Sequence, residues 1–484
     1  MLPVPLQRHD LVFLTSLTSD CHVTPAHQRD WIESWQQSGR AFWVTRQSSS
    51  EYCSVGITRY TEQSKERISV KLPWQRLKCY QAPPLLSDLI PLSPATWQPL
   101  LHLIIQLAEQ HGVVVRVYGA LVSEIWLGGG QLRPESDVDV LLIPTNPSAL
   151  HAFLLNLQAL TQNYPSPRID GEIRCLNEDV AWREYLHNLD QPCLVKSMQS
   201  VKLVNQSTLL TTLRKERLRL ASVATEALYH ELMLYPKPGL VSPLDRGSHT
   251  DMDAPLLWRS IMNLRHYFLK LVDLGQQQAS FTSLREAGIE AERQMLELTQ
   301  GVNTYRGAIF HMGLLLAARA SQPVTTAHNI CSRILNLWGE ALLAHQKLTR
   351  QQPSHGQIVY QRWHRPGALE MALSGYRFIV EEALPFYRAK KATQPLFYAR
   401  STTLLFLMAH VEDSTILWRG GERALDEVQQ EARQLLSMGE LSDPRCWARW
   451  LSFHYRLVHR HLSPGGSADL LSFTLALDQY ALEA

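Results

Sequence analysis

The spacing of apolar residues changes once along the chain. Up to about residue 205 apolar positions fall in short β-rich runs, "AFWVTR", "CSVGITRY", "RISVKL", "VVVRVY" and "VDVLLIP", where successive side chains point to opposite faces of a strand. Helical stretches lie between them, notably "ATWQPLLHLIIQLAEQHG", which meets a stop signal at Gly112. This half predicts an α/β or α+β domain. After "LVKSMQSVKLVNQSTLL" the strand signals fade, and segments such as "LTTLRKERLRLASVATEALYHELML" and "RCWARWLSFHYRLVHRHL" carry apolar residues at helical spacing. The second half predicts an all-α domain, punctuated by loops at "YPKPGLVSPLDRGSH", "WHRPGAL", "WRGGE" and "LSPGGSADLL". No Pro/Ser-rich linker separates the halves. The change of period alone puts the boundary near residue 205, giving domains 1–205 and 206–484.

Composition adds exclusions. A chain of 484 residues exceeds what one core usually organises, which agrees with a multidomain reading. Its 47 basic and 45 acidic side chains leave a formal net charge of +2, too small a field to argue for nucleic acid or membrane as partner. The seven cysteines are scattered and form no CxxC pair, which disfavours a disulfide framework and a thiolate zinc site. With no signal-peptide pattern and no long uncharged apolar run, the expectation is a soluble protein of the cytoplasm.

Candidate chemistry begins at "PESDVDVLLIP". Asp137 and Asp139 are one residue apart at a strand start, so their carboxylates share a face. Upstream, "VVVRVYGALVSEIWLGGG" reads as a strand, a turn glycine at Gly119 and a short helix, an arrangement in which backbone N–H groups approach a phosphate. A lone DxD is usually a solvated turn. Here strand, glycine, helix and second strand occur together, and the bland reading gives way to a nucleotidyl-transfer site with Mg²⁺ on a triphosphate. The Gly128 to Gly130 run lacks the lysine of a P-loop and reads as a returning loop.

This arrangement resembles the nucleotidyltransferase superfamily, which implies a mixed sheet and a third carboxylate from a later strand. The candidates are Asp170 and Glu172 in "RIDGEIRCL". More narrowly, "RHDLVFL", "GALVSEIWLGGGQLRPESDVDVLL", "RIDGEI", "VAWREYL" and "LVKSMQSVKLV" together are similar to the phosphoribosyl-dephospho-CoA transferase of malonate decarboxylase, over most of residues 5 to 205. That resemblance implies transfer of a phosphoribosyl-dephospho-CoA unit to a serine of the apo acyl carrier subunit, with pyrophosphate released. It also implies Asp137 and Asp139 as Mg²⁺ ligands and Gly119 in the phosphate cradle, while Lys196 could neutralise phosphate or simply stand solvated at a strand edge. The serine usual after the glycine is Ala120 here, which removes one hydroxyl donor.

The helical half has polar islands of its own. "YPKPGLVSPLDRGSHTDMDAPLLWRS" offers Lys237, His249, Asp251 and Asp253; "GVNTYRGAIFHMGLLLAA" offers Asn303 and Arg306. "HVEDSTILWRGG" brings Asp413 and Arg419, and "LSPGGSADLL" brings Ser463, Ser467 and Asp469. Glycine-rich helix starts near Arg, Lys and Ser suit phosphate, and Asp-rich ones suit Mg²⁺ or ribose hydroxyls, although carboxylates in a first turn are often only dipole partners. In order and wording the islands resemble triphosphoribosyl-dephospho-CoA synthase, from about residue 215 onward. The resemblance implies ATP and 3'-dephospho-CoA as substrates, with the 2'-hydroxyl of dephospho-CoA displacing adenine. It suggests Asp251 and Asp253 for metal or base duty, His249 near the substrate, Lys237 and Arg419 for phosphate, and Asp413 and Asp469 as further polar members. Where that family reads GAR.EA..G, this chain has Leu369 and Met371, with Glu370 one place off.

The two resemblances connect, because the product of the second is the triphosphate donor of the first. The expectation is a bifunctional enzyme that matures a malonate decarboxylase carrier. The alternatives are a nucleotide-binding scaffold with one or both halves impaired, the same chemistry serving a citrate lyase carrier, or a nucleotidyltransferase with another acceptor. An RNA acceptor is disfavoured by the near-neutral charge and the lack of a basic, aromatic strip. The Trp- and His-rich "WARWLSFHYRLVHRHL" reads as helix packing rather than a metal site.

Overall fold

The computed structural model describes residues 6–481 apart from 48, 50, 61–64, 126–131, 133–135, 146, 177, 188–190, 323–325 and 349–361. The Gly128 to Gly130 run and the Pro134–Glu135 pair lie outside the described residues. The chain divides into two compact units, Met1–Glu216 and Arg217–Ala484. The dividing point lies inside the continuous helix Gln206–Leu232, which is why no linker composition marks it.

The first unit holds two six-stranded sheets. Strands β1 (Leu11–Leu14), β2 (His22–Thr24), β3 (Phe42–Val44), β4 (Tyr52–Tyr60), β5 (Lys65–Pro73) and β6 (Leu77–Gln81) form the first, in the order β2-β5-β4-β3-β1-β6. Every pair in it is antiparallel. The second is built from β7 (Val113–Tyr118), β8 (Val138–Pro144), β9 (Ile169–Cys175), β10 (Glu178–Ala181), β11 (Pro192–Ser197) and β12 (Val201–Asn205), arranged in chain order. It is mixed, because β8 and β9 run parallel while its other pairs are antiparallel. The helix Leu150–Asn163 makes the crossover that a parallel pair requires. The helix Gln98–His111 ends on Gly112 at φ 64, the left-handed stop that its sequence announces.

The second unit is helical throughout its described elements. Helices Arg306–Ala320, Leu396–His410 and Gly465–Tyr480 are apolar almost all round and run through its core. Amphipathic helices such as Ala254–Gln277, Ser414–Met438 and Pro444–His459 each turn one apolar face inward. Among the described residues no helix is long and apolar enough to cross a membrane.

Candidate active sites

In the first unit the backbone register sets the site. Tyr118, the last residue of β7, pairs with Asp139 on β8, and Asp139 pairs in turn with Asp170 on β9. Asp137 stands just ahead of β8 and, two residues from Asp139, shares its face. The guanidinium of Arg168 lies 3.9 Å from Asp137 Oδ2 and 3.6 Å from Asp170 Oδ2, so one exposed cation bridges two of these carboxylates. Gly119 turns the chain from β7 into the helix Ala120–Ile125 at φ 75, and a Cβ there would collide with the Asp139 carboxylate. A glycine is therefore demanded twice, by conformation and by space.

Glu172 behaves differently from Asp170. Both point to one face of β9, but Glu172 is buried and is engaged by His9 Nε2 at 2.9 Å, Lys196 Nζ at 2.8 Å and the Arg8 guanidinium at 3.2 Å. Burial would raise its pKa, yet the hydrogen bond from His9 and the charges of Arg8 and Lys196 hold it well below the usual carboxylate range. Of the two candidate carboxylates, Asp170 stands beside the DxD pair and Glu172 does not, and Lys196 is ion-paired to Glu172.

The N-terminal turn supplies residues that no motif assigned to this site. Arg174 makes a bidentate pair with Asp179 (2.8 and 3.0 Å) and donates to the Arg8 carbonyl at 2.8 Å and to Gln7 Oε1 at 2.9 Å. This clamps "RHD" over the carboxylate face, where the His9 ring stacks on Tyr118 with centroids 3.8 Å apart. His9, Glu172 and Asp179 offer ligand atoms within 4.8 Å of one another. With Arg8, Arg174 and Lys196 already neutralising both carboxylates, the cluster is a salt-bridge network rather than a metal centre. The only trace in the sequence was the "RHDLVFL" run, which carries no chemistry by itself.

The second unit encloses a cleft of about 1300 Å³. Its walls include Lys237, His249, Asp251, Asn303 and Arg306, and from later helices Asp413, Arg419, Ser463 and Asp469. Islands separated by up to half the chain thus converge. Ser467 lies behind the lining, bonded to Asp413, and Asp253 is corrected here: it is not among the lining residues but caps the helix Ala254–Gln277, accepting from Leu256 N at 3.0 Å and pairing with Arg246 at 3.2 Å. Because the cap conformation turns this carboxylate to its own helix, Asp251 and Asp253 do not act as a ligand pair.

One side of the cleft is a frame of hydrogen bonds. Asp413 caps the helix Ser414–Met438 through Thr415 N (3.0 Å) and Ile416 N (3.3 Å) and also accepts from Ser467 N (2.8 Å) and Ser467 Oγ (2.9 Å). It ties together two helix N-termini. Arg419 Nη1 donates to the carbonyls of Ser248 (3.3 Å) and His461 (3.1 Å), and Nη2 donates to His249 Nδ1 (3.3 Å). His249 therefore carries its proton on Nε2, which donates to Ser463 Oγ at 2.9 Å. Burial, helped by the Arg419 charge, lowers the His249 pKa to about 4.

The deeper wall concentrates buried titratable groups. Lys237 is fully buried and donates to Glu231 Oε1 at 2.6 Å, while burial pulls its pKa down. Lys237 thus has its charge partnered within the protein. The sequence reading missed Glu231, a carboxylate inside an otherwise ordinary amphipathic helix. Trp450 and His454 donate to the carbonyls of Pro236 (2.9 Å) and Lys237 (2.8 Å), so the Trp/His-rich helix packs as expected and also holds this loop. Asp469 abuts Gly307 so closely that a Cβ there would overlap its carboxylate. Burial, with the charges of Glu231 and Asp413, pushes the Asp469 pKa well above the usual range. Nearby, the buried Tyr305 hydroxyl has no hydrogen-bond partner among the described residues.

Other residues serve helix ends. Asn303 Oδ1 accepts from Arg306 N at 3.1 Å, and the Arg306 guanidinium pairs with Glu292. Leu369 and Met371 line the cleft at the positions where Arg and Glu were expected. Glu370 accepts from Gly367 N at 2.9 Å and from Gln346 Nε2 at 3.0 Å, so it is engaged as a helix cap.

Comparison with known proteins bears on both units. The model of the family ATP:dephospho-CoA triphosphoribosyl transferase matches residues 217–483, and that of the phosphoribosyl-dephospho-CoA transferase MdcG C-terminal domain matches residues 85–207. A probable 2-(5''-triphosphoribosyl)-3'-dephosphocoenzyme-A synthase of Acinetobacter calcoaceticus is 38% identical over 283 residues, covering 57% of this chain and 96% of the relative. A protein of the same description from Pseudomonas putida is 36% identical over 266 residues, 54% of this chain and 94% of its own length. The 2-(5''-triphosphoribosyl)-3'-dephosphocoenzyme-A synthase of Pectobacterium atrosepticum is 36% identical over 270 residues, 53% and 87%. No solved structure matches.

Proposed function

Since this chain belongs to the ATP:dephospho-CoA triphosphoribosyl transferase family and carries a phosphoribosyl-dephospho-CoA transferase domain ahead of that region, we propose that it makes a prosthetic-group precursor and then attaches it. The chain is a transferase. In this reading residues 206–484 join ATP to 3'-dephospho-CoA with release of adenine. Residues 1–205 then move the phosphoribosyl-dephospho-CoA unit to a serine of the apo acyl carrier subunit of malonate decarboxylase, with release of pyrophosphate. In this reading the work is done in the cytoplasm, where ATP and dephospho-CoA would be drawn on.

The cleft supports the first step. Its Arg419, His249 and Ser463 side, beside the start of the helix Gly465–Tyr480, suits a triphosphate. The exposed carboxylate of Asp251 is available to a cation or to ribose hydroxyls. On the deeper wall, Asp469, whose pKa burial and the charges of Glu231 and Asp413 push well above the usual carboxylate range, is suited to give a proton to departing adenine. The 2'-hydroxyl of dephospho-CoA forms the new bond to the anomeric carbon as the bond to adenine breaks.

For the second step, Asp137, Asp139 and Asp170 supply hard oxygen donors on adjacent positions of one face, a set that fits Mg²⁺. Mg²⁺ there would neutralise the triphosphate and its pyrophosphate leaving group. Gly119 lets that phosphate approach the backbone. The observation that carries the reading is the presence, in one chain, of a carboxylate site suited to a triphosphate donor and a cleft of the family that forms this donor.

The test is to incubate the purified chain with ATP, Mg²⁺ and dephospho-CoA, then with apo carrier subunit of malonate decarboxylase, and to follow adenine and carrier mass. Dephospho-CoA-dependent adenine release, followed by a phosphoribosyl-dephospho-CoA mass increase on the carrier, is expected. Absence of adenine overturns the synthase half and points to Leu369 and Met371. Labelling of a citrate lyase carrier in preference overturns the malonate assignment.

A further inference from the structure

We propose that His9 and Glu172 form the acceptor side of the first site, with the carboxylate-held imidazole taking the proton from the carrier serine as its oxygen attacks the donor phosphorus. This rests on the transferase reading of the first unit. His9 is the residue on which the geometry converges. It is a non-glycine residue in the left-handed region, φ 66, a conformation that costs free energy and persists only where surrounding contacts impose it. The Arg174 clamp on Gln7 and Arg8 is that imposition.

Position follows from register. Tyr118, on which His9 stacks, is the cross-strand partner of Asp139; Glu172, to which His9 is bonded, is two residues along the same face from Asp170. The imidazole therefore sits one residue row from the carboxylates that would hold the donor.

Polarity follows from the hydrogen bond. A carboxylate only accepts, so Nε2 carries the proton toward Glu172 and the lone pair of the neutral ring is on Nδ1. Nδ1 makes no hydrogen bond among the described residues, and the side chain keeps 16% of its surface exposed. The groups facing the ring are Arg8, Arg174, Tyr118, Glu172 and Asp179, with Lys196 behind Glu172. Burial outweighs the two carboxylates and keeps the ring neutral at pH 7. Tyr118 cannot substitute as the base, because burial among carboxylates keeps its phenol protonated.

The step balances. The serine Oγ–H proton passes to His9 Nδ1 and a bond forms from Oγ to the phosphorus next to the ribose. The bond from that phosphorus to the bridging oxygen breaks, and pyrophosphate leaves with the electron pair. Glu172 stabilises the imidazolium, as the third member of a nucleophile–base–carboxylate arrangement does.

The experiment uses the full chain, preformed triphosphoribosyl-dephospho-CoA and apo carrier, with Mg²⁺-dependent donor binding measured separately. His9→Ala is expected to lower the labelling rate by about 10²- to 10⁴-fold with donor binding retained, the range for loss of a general base. Added imidazole restores the rate in proportion to its neutral fraction. His9→Gln keeps a donor for Glu172 but stays as slow as His9→Ala, which a merely structural role does not explain. Wild-type labelling rates in His9→Gln, or a loss in His9→Ala that imidazole leaves untouched, overturn the proposal while the transferase reading stands. A wild-type chain that binds donor but labels no carrier overturns both.

Discussion

Asp139 and Asp170 are direct partners across the parallel β8–β9 pair, so their carboxylates leave one face of the second sheet from adjacent strands. Adjacent strands lie about 4.8 Å apart, a separation that lets two carboxylates share one cation. Glu172, two residues further along β9, has instead been drawn into an ion-pair network by Arg8, His9 and Lys196.

Asp170→Asn should therefore lower carrier labelling by at least about 10²-fold, the usual scale for losing a group that stabilises transition-state charge. Adenine release from ATP and dephospho-CoA should be unchanged, since that chemistry is proposed for the cleft of the other unit. Mass spectrometry of the carrier beside chromatography of adenine reads both.

Gly119→Ala sets a methyl group against the Asp139 carboxylate in a backbone conformation that L residues avoid. The conformational cost is about 1 kcal/mol. Displacement of the carboxylate should do more damage than that cost: labelling falls by at least about tenfold, as loss of positioning predicts. Thermal unfolding of the variant, measured alongside, should shift by only a few degrees.

Asp413→Ala removes one acceptor from four donors at once and uncaps the helix Ser414–Met438. The expected loss of stability is about 2 to 4 kcal/mol, from the cap and the buried donors left unmade. Chemical denaturation measures it, and adenine release should fall with the displaced helix starts. Asp413→Asn, which still accepts through its amide oxygen, should lose less.

Two histidines make the second unit acid-sensitive. Burial lowers His311 to about 4, and burial with the Arg419 charge lowers His249 to about 4, against an ordinary value of 6.5. Between those values the unfolded chain binds the protons that the native state refuses, so stability falls as pH drops from 6.5 toward 4 and is flat above. Each histidine should cost up to about 3 kcal/mol across that window. The denaturation midpoint, tracked through loss of adenine release, should follow this slope, and His311→Gln should flatten part of it.

The sequence by itself determined whatever depends on neighbours along the chain. Short β-rich runs marked strands such as β4, β5, β7 and β8; helical spacing marked the second half; Gly112 marked a helix end; and "SDVDV" marked a shared carboxylate face. These follow from backbone geometry, which repeats every two or 3.6 residues wherever it occurs. The polar islands of the helical half could also be picked out, because polar clusters interrupt apolar helices, and all but Asp253 and Ser467 among the chosen candidates line the cleft.

Only the tertiary structure decided what individual side chains do. Asp170 and Glu172 are indistinguishable by spacing; an N-terminal turn more than 160 residues away separates them by burying one under Arg8 and His9. Asp251 and Asp253 look alike in "HTDMD", yet one lines the cleft and the other caps a helix. The antiparallel sheet of β1 to β6 and the Glu231–Lys237 pair were likewise hidden, since strand order and ion pairing depend on which segments meet. The physical reason is common to these cases. The charge state and availability of a side chain are set by burial and by opposite charges within a few ångströms, and those neighbours are supplied by the fold rather than by position in the chain.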